Sequence, residues 1–198
     1  MAGVSRPGFV APDFNAPLDV DERLARLPAE ARVKGMFIHR LVEMAQKKQL
    51  KHPRDGERFI AFKDYPVPLY LQALVDTARL LHPNVPPRRA LYELGLGVYP
   101  ALLDSMIGRV VFGALGRDLN GVLRITSKAY EIASNYGKCT VVEQTPRSVL
   151  LHLKDVWAFP DCHHVGVVEG AISVHGPKAT TAIRVISISE VQLFAVWD

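Results

Sequence analysis

Cysteine is scarce in this chain, with two in 198 residues. That scarcity excludes a disulfide framework and makes the cytoplasm the default compartment. Long hydrophobic runs are also missing, because Pro100, Asp104, Arg109 and Arg117 interrupt the apolar stretches around residues 98–115. None approaches the roughly 18 to 20 residues that a membrane span needs. The first residues carry no apolar core of the kind that forms a secretion signal. Charge of one sign is in short supply too, since 24 Lys and Arg stand against 20 Asp and Glu, leaving a net charge of +4. The excess is local, with 11 basic against 8 acidic residues in positions 1–60. Its densest part, Lys47, Lys48, Lys51 and Arg54 with His52, falls at the end of a helical pattern, where cations complement the helix dipole. This reads as a solvated helix end, and nucleic acid is not an expected partner.

The usual chemical motifs are absent as well. Gly95-Leu96-Gly97 follows a helical pattern instead of a strand and has no third glycine, so it fails the context of a dinucleotide loop. Ser127 and Ser134 have no nucleophile-elbow setting.

What is present is ordinary globular material, 48% hydrophobic and 22% charged, of a length suited to one domain. Residues 1–18, with Pro7, Gly8, Pro12 and Pro17, read as a flexible N-terminal arm, and residues 19–198 as a single domain. Asp19 and Asp21 open a short helix over 22–27 that Pro28 closes. A further helix pivots in at Gly35, with Phe37, Leu41, Met44 and Ala45 as its stripe. The spacing of Leu69, Leu71, Leu74, Ala78 and Leu81 predicts a helix that Pro83 ends. A third spans 88–96, with Gly95 and Gly97 suiting its C-terminal cap. Pro100 starts a long apolar helix over 101–115, followed by a helical pattern over 118–136. Beyond Lys138 the period changes to that of strands, over 139–143, 148–153, 180–188 and 190–197, with turns at 145–147 and 187–189. The expected fold is α+β: N-terminal helices packed on a C-terminal antiparallel sheet of about four strands, with one helix inserted between its two hairpins.

That inserted helix, from Cys162 to Ile172, concentrates the groups with chemical potential. Cys162 precedes His163 and His164, but adjacent histidines diverge by about 100° around a helix, and no third orienting group is apparent for a nucleophilic cysteine. His152, Cys139, Cys162, His163 and His164 lack metal-ligand spacing. Arg109 is a lone charge in the most apolar helix, and a buried arginine requires a carboxylate from the protein or from a ligand. Glu169 raises the same question, and the two are candidates to pair.

Leu27-Pro28, Val33-Lys34-Gly35-Met36-Phe37, Arg79-Leu80-Leu81-His82-Pro83, Tyr99-Pro100, Ile107-Gly108-Arg109-Val110-Val111-Phe112-Gly113 and Asp161-Cys162-His163-His164-Val165-Gly166 together resemble a large paralogous family of uncharacterised myxobacterial proteins. At the level of fold the chain is similar to haem nitric-oxide-binding domains, vinyl-reductase-type small-molecule-binding domains and vesicle-transport-particle subunits, in which a helical half precedes strands and a Gly-x-x-x-Gly helix like that from Gly166 to Gly170 lies between β elements. This resemblance implies a cavity between helices and sheet, and favours dimers. It also carries departures: residues 118–133, which match the iron-binding helix of the haem domains, contain no histidine, and the Tyr-x-Ser-x-Arg motif is absent. Haem is therefore not expected, and no other cofactor is. The expected function is a non-enzymatic binding or regulatory module, sensing an apolar small molecule through Arg109, Cys162, His163 and His164 or acting as a homodimeric docking domain. The alternatives are a structural interaction subunit with a filled core and, last, a Cys162-dependent enzyme.

Overall fold

A computed structural model describes residues 6–103 and 119–198. The chain begins with α1 (Val20–Ala25), whose N-cap Asp19 accepts from the Glu22 N–H at 2.7 Å. β1 (Arg32–Lys34) leads directly into α2 (Gly35–Lys47), and β2 (Asp64–Pro66) into α3 (Val67–Leu81). The two short strands pair antiparallel. Three residues hold too little alternation to register as a strand, so sequence periodicity shows only the helices that follow. After α3 come α4 (Pro87–Leu103) and α5 (Leu119–Ala133), then the sheet strands β3 (Lys138–Thr145) and β4 (Ser148–Lys154), helix α6 (His163–Ser173), and strands β5 (Ala179–Ser187) and β6 (Glu190–Trp197).

The expected α+β architecture is the one observed. β3 and β4 form one antiparallel hairpin and β5 and β6 the other, and β4 pairs antiparallel with β6 to give the order β3-β4-β6-β5. Inward residues alternate as a half-buried sheet requires: Val149, Leu151 and Leu153 on β4 and Val191, Leu193 and Ala195 on β6 are all nearly inaccessible. Val165 and Ile172 of α6 and Leu123 of α5 pack into this layer, while a second cluster joins α2, α3 and α4 to Trp157, Phe159 and Cys162. Residues 6–14 cross the outer face. Arg6 pairs with Glu143 of β3 at 2.7 Å and lies over the rings of Phe9 and Phe194. Val10 exchanges backbone hydrogen bonds with Ile183 on the β5 edge, and Phe14 stacks on Tyr92 with ring centroids 4.4 Å apart. No helix among the described residues is long and apolar enough to cross a membrane.

One helix departs from expectation. α4 does not stop at Leu96 but runs through Gly95, Gly97 and Pro100 to Leu103. The glycines act in packing, not capping. A Cβ on Gly95 would meet the His163 carbonyl and come within 3.0 Å of Val167 N and 3.1 Å of Gly166 Cα. A Cβ on Gly166 would meet the Tyr92 carbonyl, and one on Gly170 the Leu96 carbonyl. α4 and α6 thus cross backbone to backbone, at a spacing that supports Cα–H contacts to carbonyls. Pro100 has no N–H to return to Leu96, the residue four positions earlier, so this carbonyl turned to Gly170 is not claimed by the α4 ladder. The tertiary contact outweighs the ~1 kcal/mol that each glycine costs in helix propensity. The expected helix over 101–115, with Arg109, lies largely outside the described residues, which include only its first turn as the end of α4.

Gly166→Ala should lower unfolding free energy by about 2 kcal/mol or more, because backbone must move to admit the methyl group. Gly97→Ala meets only the flexible Met44 Cε, at 3.3 Å, and should be neutral or stabilising by up to ~1 kcal/mol. Urea unfolding of the two variants tests the contrast.

Candidate functional site at the junction of helices and sheet

The loop between β4 and α6 sets the site. Phe159 is fully buried with φ at 53°, a left-handed backbone that costs a non-glycine residue about 1–3 kcal/mol. Its N–H donates to the Trp157 carbonyl at 2.8 Å, and its own carbonyl accepts from the N–H groups of Cys162 and His164. Arg23 of α1, only 4% exposed, holds this loop. Its guanidinium lies 4.8 Å from the Phe159 ring centroid and donates to the carbonyls of Trp157 and Ile188. Asp161 takes Arg88 of α4 at 2.7 Å and Arg23 at 3.8 Å, and Arg88 Nε also donates to the Asp13 carbonyl at 2.8 Å. The charges near the start of α6 are therefore engaged with one another and with backbone.

Cys162 is the N-cap position of α6 and is fully buried, with no side-chain capping bond. Burial pushes its thiol up to about 12, and among the described residues no imidazole bonds to it. This is the environment of an inert thiol. His163 is 2% exposed, neither ring nitrogen has a partner, and burial drives its pKa well below the ordinary histidine value. The His164 ring stands edge-on to it at 5.3 Å. His164 Nδ1 lies 2.9 Å from the Ala158 carbonyl. A carbonyl can only accept, so Nδ1 carries the proton and Nε2 presents a lone pair. Burial lowers the His164 pKa to about 4, so both imidazoles are neutral at pH 7.

The structure adds residues that no motif indicated. Tyr130 of α5 sits 6.3 Å from the His164 ring. Tyr136, just past α5, and Tyr70 of α3 lie close enough to Tyr130 to reinforce the rise that burial imposes on its phenol. Desolvation raises Tyr70 and Tyr136 in the same direction. Among the described residues none of the three hydroxyls, nor His164 Nε2, has a hydrogen-bond partner; Tyr70 is buried, and Tyr130, Tyr136 and His164 are half-buried. Their positions in sequence, 70, 130, 136 and 164, have no common spacing, so only the tertiary fold brings them together.

The other expected residues separate. His152 lies on the outer face of the sheet with its ring nitrogen 2.8 Å from Glu190, while Cys139 points inward. Among the described residues no three His, Cys, Asp or Glu side chains converge as metal ligands. Glu169 accepts from the Tyr92 hydroxyl at 2.6 Å and from the Thr181 N–H at 3.0 Å, which closes part of the β5 edge. Arg109 lies outside the described residues. Two surface clefts, of about 550 Å³ beside His175 and Trp197 and about 620 Å³ between α1 and α3, do not reach Cys162, His163 or His164.

Residues 27–197 match the model of DUF2378, described as a protein of unknown function. The chain belongs to the DUF2378 family. No curated protein matches it in sequence. Solved structures similar to this DUF2378 protein include H-NOX proteins. The Fe(II)NO form from S. oneidensis has 14% identity and a TM-score of 0.63 over 83% of this chain and 99% of its own. The unliganded Fe(II) protein from K. algicida has 16% identity and a TM-score of 0.59 over 83% and 96%. An oxygen-binding H-NOX domain related to soluble guanylate cyclases has 8% identity and a TM-score of 0.59 over 83% and 92%. At such identities the likeness establishes fold alone.

Haem, the group this fold family implies, needs an axial donor and partners for two anionic propionates. His164 Nε2 is a competent nitrogen donor, with its other nitrogen oriented by a carbonyl as metal-bound imidazoles are. The rest of the set does not match: Tyr70, Tyr130, Tyr136 and His163 are neutral, and Arg23 and Arg88 are committed to Asp161 and to carbonyls. The described residues do not fit haem.

His164 also gives a pH signature. Its folded pKa is depressed from 6.5 to about 4, so the unfolded chain binds the extra proton first. Stability is complete above pH 6.5 and falls as pH drops toward 4, with a slope of about 1.4 kcal/mol per pH unit for this group. His163 is shifted in the same direction. His164→Leu should flatten the pH dependence of urea unfolding across this window.

Proposed function

We propose that this DUF2378 protein is a non-enzymatic small-molecule-binding module, with a sensing role, whose ligand occupies the space bounded by Tyr70, Tyr130, Tyr136 and His164. One observation carries the reading: among the described residues three tyrosine hydroxyls and His164 Nε2, brought together by the fold, have no hydrogen-bond partner. Buried donors and acceptors left unmade cost about 1–3 kcal/mol each, and a ligand that satisfies them recovers that loss. A purely structural core would place apolar side chains or paired polar groups at the same positions. The buried, high-pKa Cys162 thiol and its lack of a bonded base support binding over catalysis. His164 belongs to this site, and the fully buried Cys162 and nearly inaccessible His163 flank it; Arg109 is a candidate anchor from the neighbouring segment.

A second reading, self-association, draws on a different part of the surface. Val185 and Ile186, 54% and 51% exposed, lie on the β5 edge near Val10. An apolar sheet edge favours pairing with a second copy.

A thermal-shift screen of small molecules tests the binding reading. A ligand at about one hundred times its Kd should raise Tm by roughly 5 to 10 °C, and Tyr130→Phe and His164→Leu should each reduce that rise. Stabilisation by all hits that is indifferent to both substitutions would contradict it.

A further inference from the structure

The surplus positive charge of the chain and an exposed aromatic ring lie on one stretch. Residues 47–63 hold six Lys and Arg against two Asp and Glu, a surplus equal to the +4 of the whole protein. Both acids are engaged: Asp55 accepts from Gln46 Nε2 and from the His52 N–H, each at 2.9 Å, and Glu57 pairs with Arg54 at 3.3 Å. Asp64, next along the chain, pairs with Lys34 at 2.7 Å. Arg58 and Lys63 are exposed, and among the described residues neither pairs with a carboxylate.

Between these two cations the chain turns at Ile60 to Lys63, where the Lys63 N–H donates to the Ile60 carbonyl at 3.1 Å. The turn is fastened to the start of α2. The Ala61 and Lys63 carbonyls accept from the N–H groups of Met36 at 3.0 Å and Gly35 at 2.9 Å, and the Ile60 N–H donates to the Tyr65 hydroxyl at 3.0 Å. Phe59 points into the core, whereas Ile60 and Phe62 are 55% and 64% exposed. Phe62 is the one exposed aromatic residue among those described. A single apolar side chain on a surface is ordinary, but two on one fastened turn, with unpaired cations on both sides, form a two-part contact. A nucleic acid or an acidic peptide would meet the cations and leave Ile60 and Phe62 in water. The boundary of an anionic bilayer takes both, because apolar side chains enter it while cations stay with the phosphates.

We propose that this turn docks the protein peripherally on an anionic phospholipid surface, with Ile60 and Phe62 entering the headgroup–acyl boundary and Arg58 and Lys63 meeting lipid phosphates. Lys48 and Lys51, exposed on the same segment, add to its positive potential. The contact needs no membrane-crossing helix and is independent of any ligand held between the helices and the sheet.

Co-sedimentation of the full-length protein with vesicles tests this, using phosphatidylcholine alone and phosphatidylcholine mixed with phosphatidylglycerol. Partitioning onto the mixed vesicles should be at least about tenfold stronger than onto the neutral ones and should weaken as salt is raised. Phe62→Ser should lower it about tenfold, and Arg58→Gln and Lys63→Gln about fivefold each. All three side chains are exposed, so urea unfolding of these variants should match the wild type. Phe62→Trp should retain binding, and its emission should shift to the blue on the mixed vesicles, a change that stands out because Trp157 and Trp197 are already buried. Absence of partitioning onto the mixed vesicles at low salt would overturn the proposal. So would partitioning indifferent to Phe62→Ser with no blue shift, which is adsorption by charge alone. Tighter binding to a DNA duplex than to the mixed vesicles, unaffected by Phe62→Ser, would overturn it in favour of a nucleic-acid partner.

Discussion

The contact between the backbones of α4 and α6, at Gly95, Gly166 and Gly170, is the constraint around which the remaining structure is arranged. α4 belongs to the helical layer and α6 to the layer against the sheet, so their crossing fixes one half of the molecule on the other. With carbonyls of Tyr92 and Leu96 lying against glycine Cα atoms, neither helix can rotate or slide without admitting a void or a clash. Pro100 belongs to the same arrangement, because it leaves the Leu96 carbonyl free of the helical ladder.

That fixed crossing determines how the chain enters α6. The loop after β4 must turn sharply, and it does so with Phe159 in left-handed backbone beneath the Arg23 guanidinium. Arg23 and Arg88 converge on Asp161 and tie α1, the arm at Asp13 and α4 to the same few residues. Around this loop the described charges and the neutral polar groups fall on different sides. On one side of the loop the ions neutralise one another; on the other, Tyr70, Tyr130, Tyr136, His163 and His164 form a neutral polar group whose protonation states are held by burial. Cys162 sits at the boundary, its thiol fully buried.

The sequence made the sheet and most helices legible because their apolar periods are long and their ends are marked. β6 alternates without exception over Val191, Leu193, Ala195 and Trp197, and Gly137 and Pro28 close the elements before them. α4 was harder. Gly95, Gly97 and Pro100 are breakers by propensity, and only the approach of α6 explains why a helix retains them. β1 and β2 are too short to leave a pattern. At the site, the stretch from Asp161 to His164 stands out in sequence at the entry of α6, since unusual residues precede a small-residue helix. Its tyrosines were not legible, because each is a lone aromatic on an otherwise apolar face and their convergence is a property of packing. The resemblance to haem nitric-oxide-binding domains anticipated the fold that the H-NOX structures share.

Native mass spectrometry of the protein purified without added ligands tests the central claim, that the junction of helices and sheet holds a small molecule, most directly. The account predicts a stoichiometric extra mass, lost on denaturation and absent from His164→Leu. A wild-type spectrum of bare polypeptide, unchanged after incubation with a lysate's small-molecule extract, would contradict it.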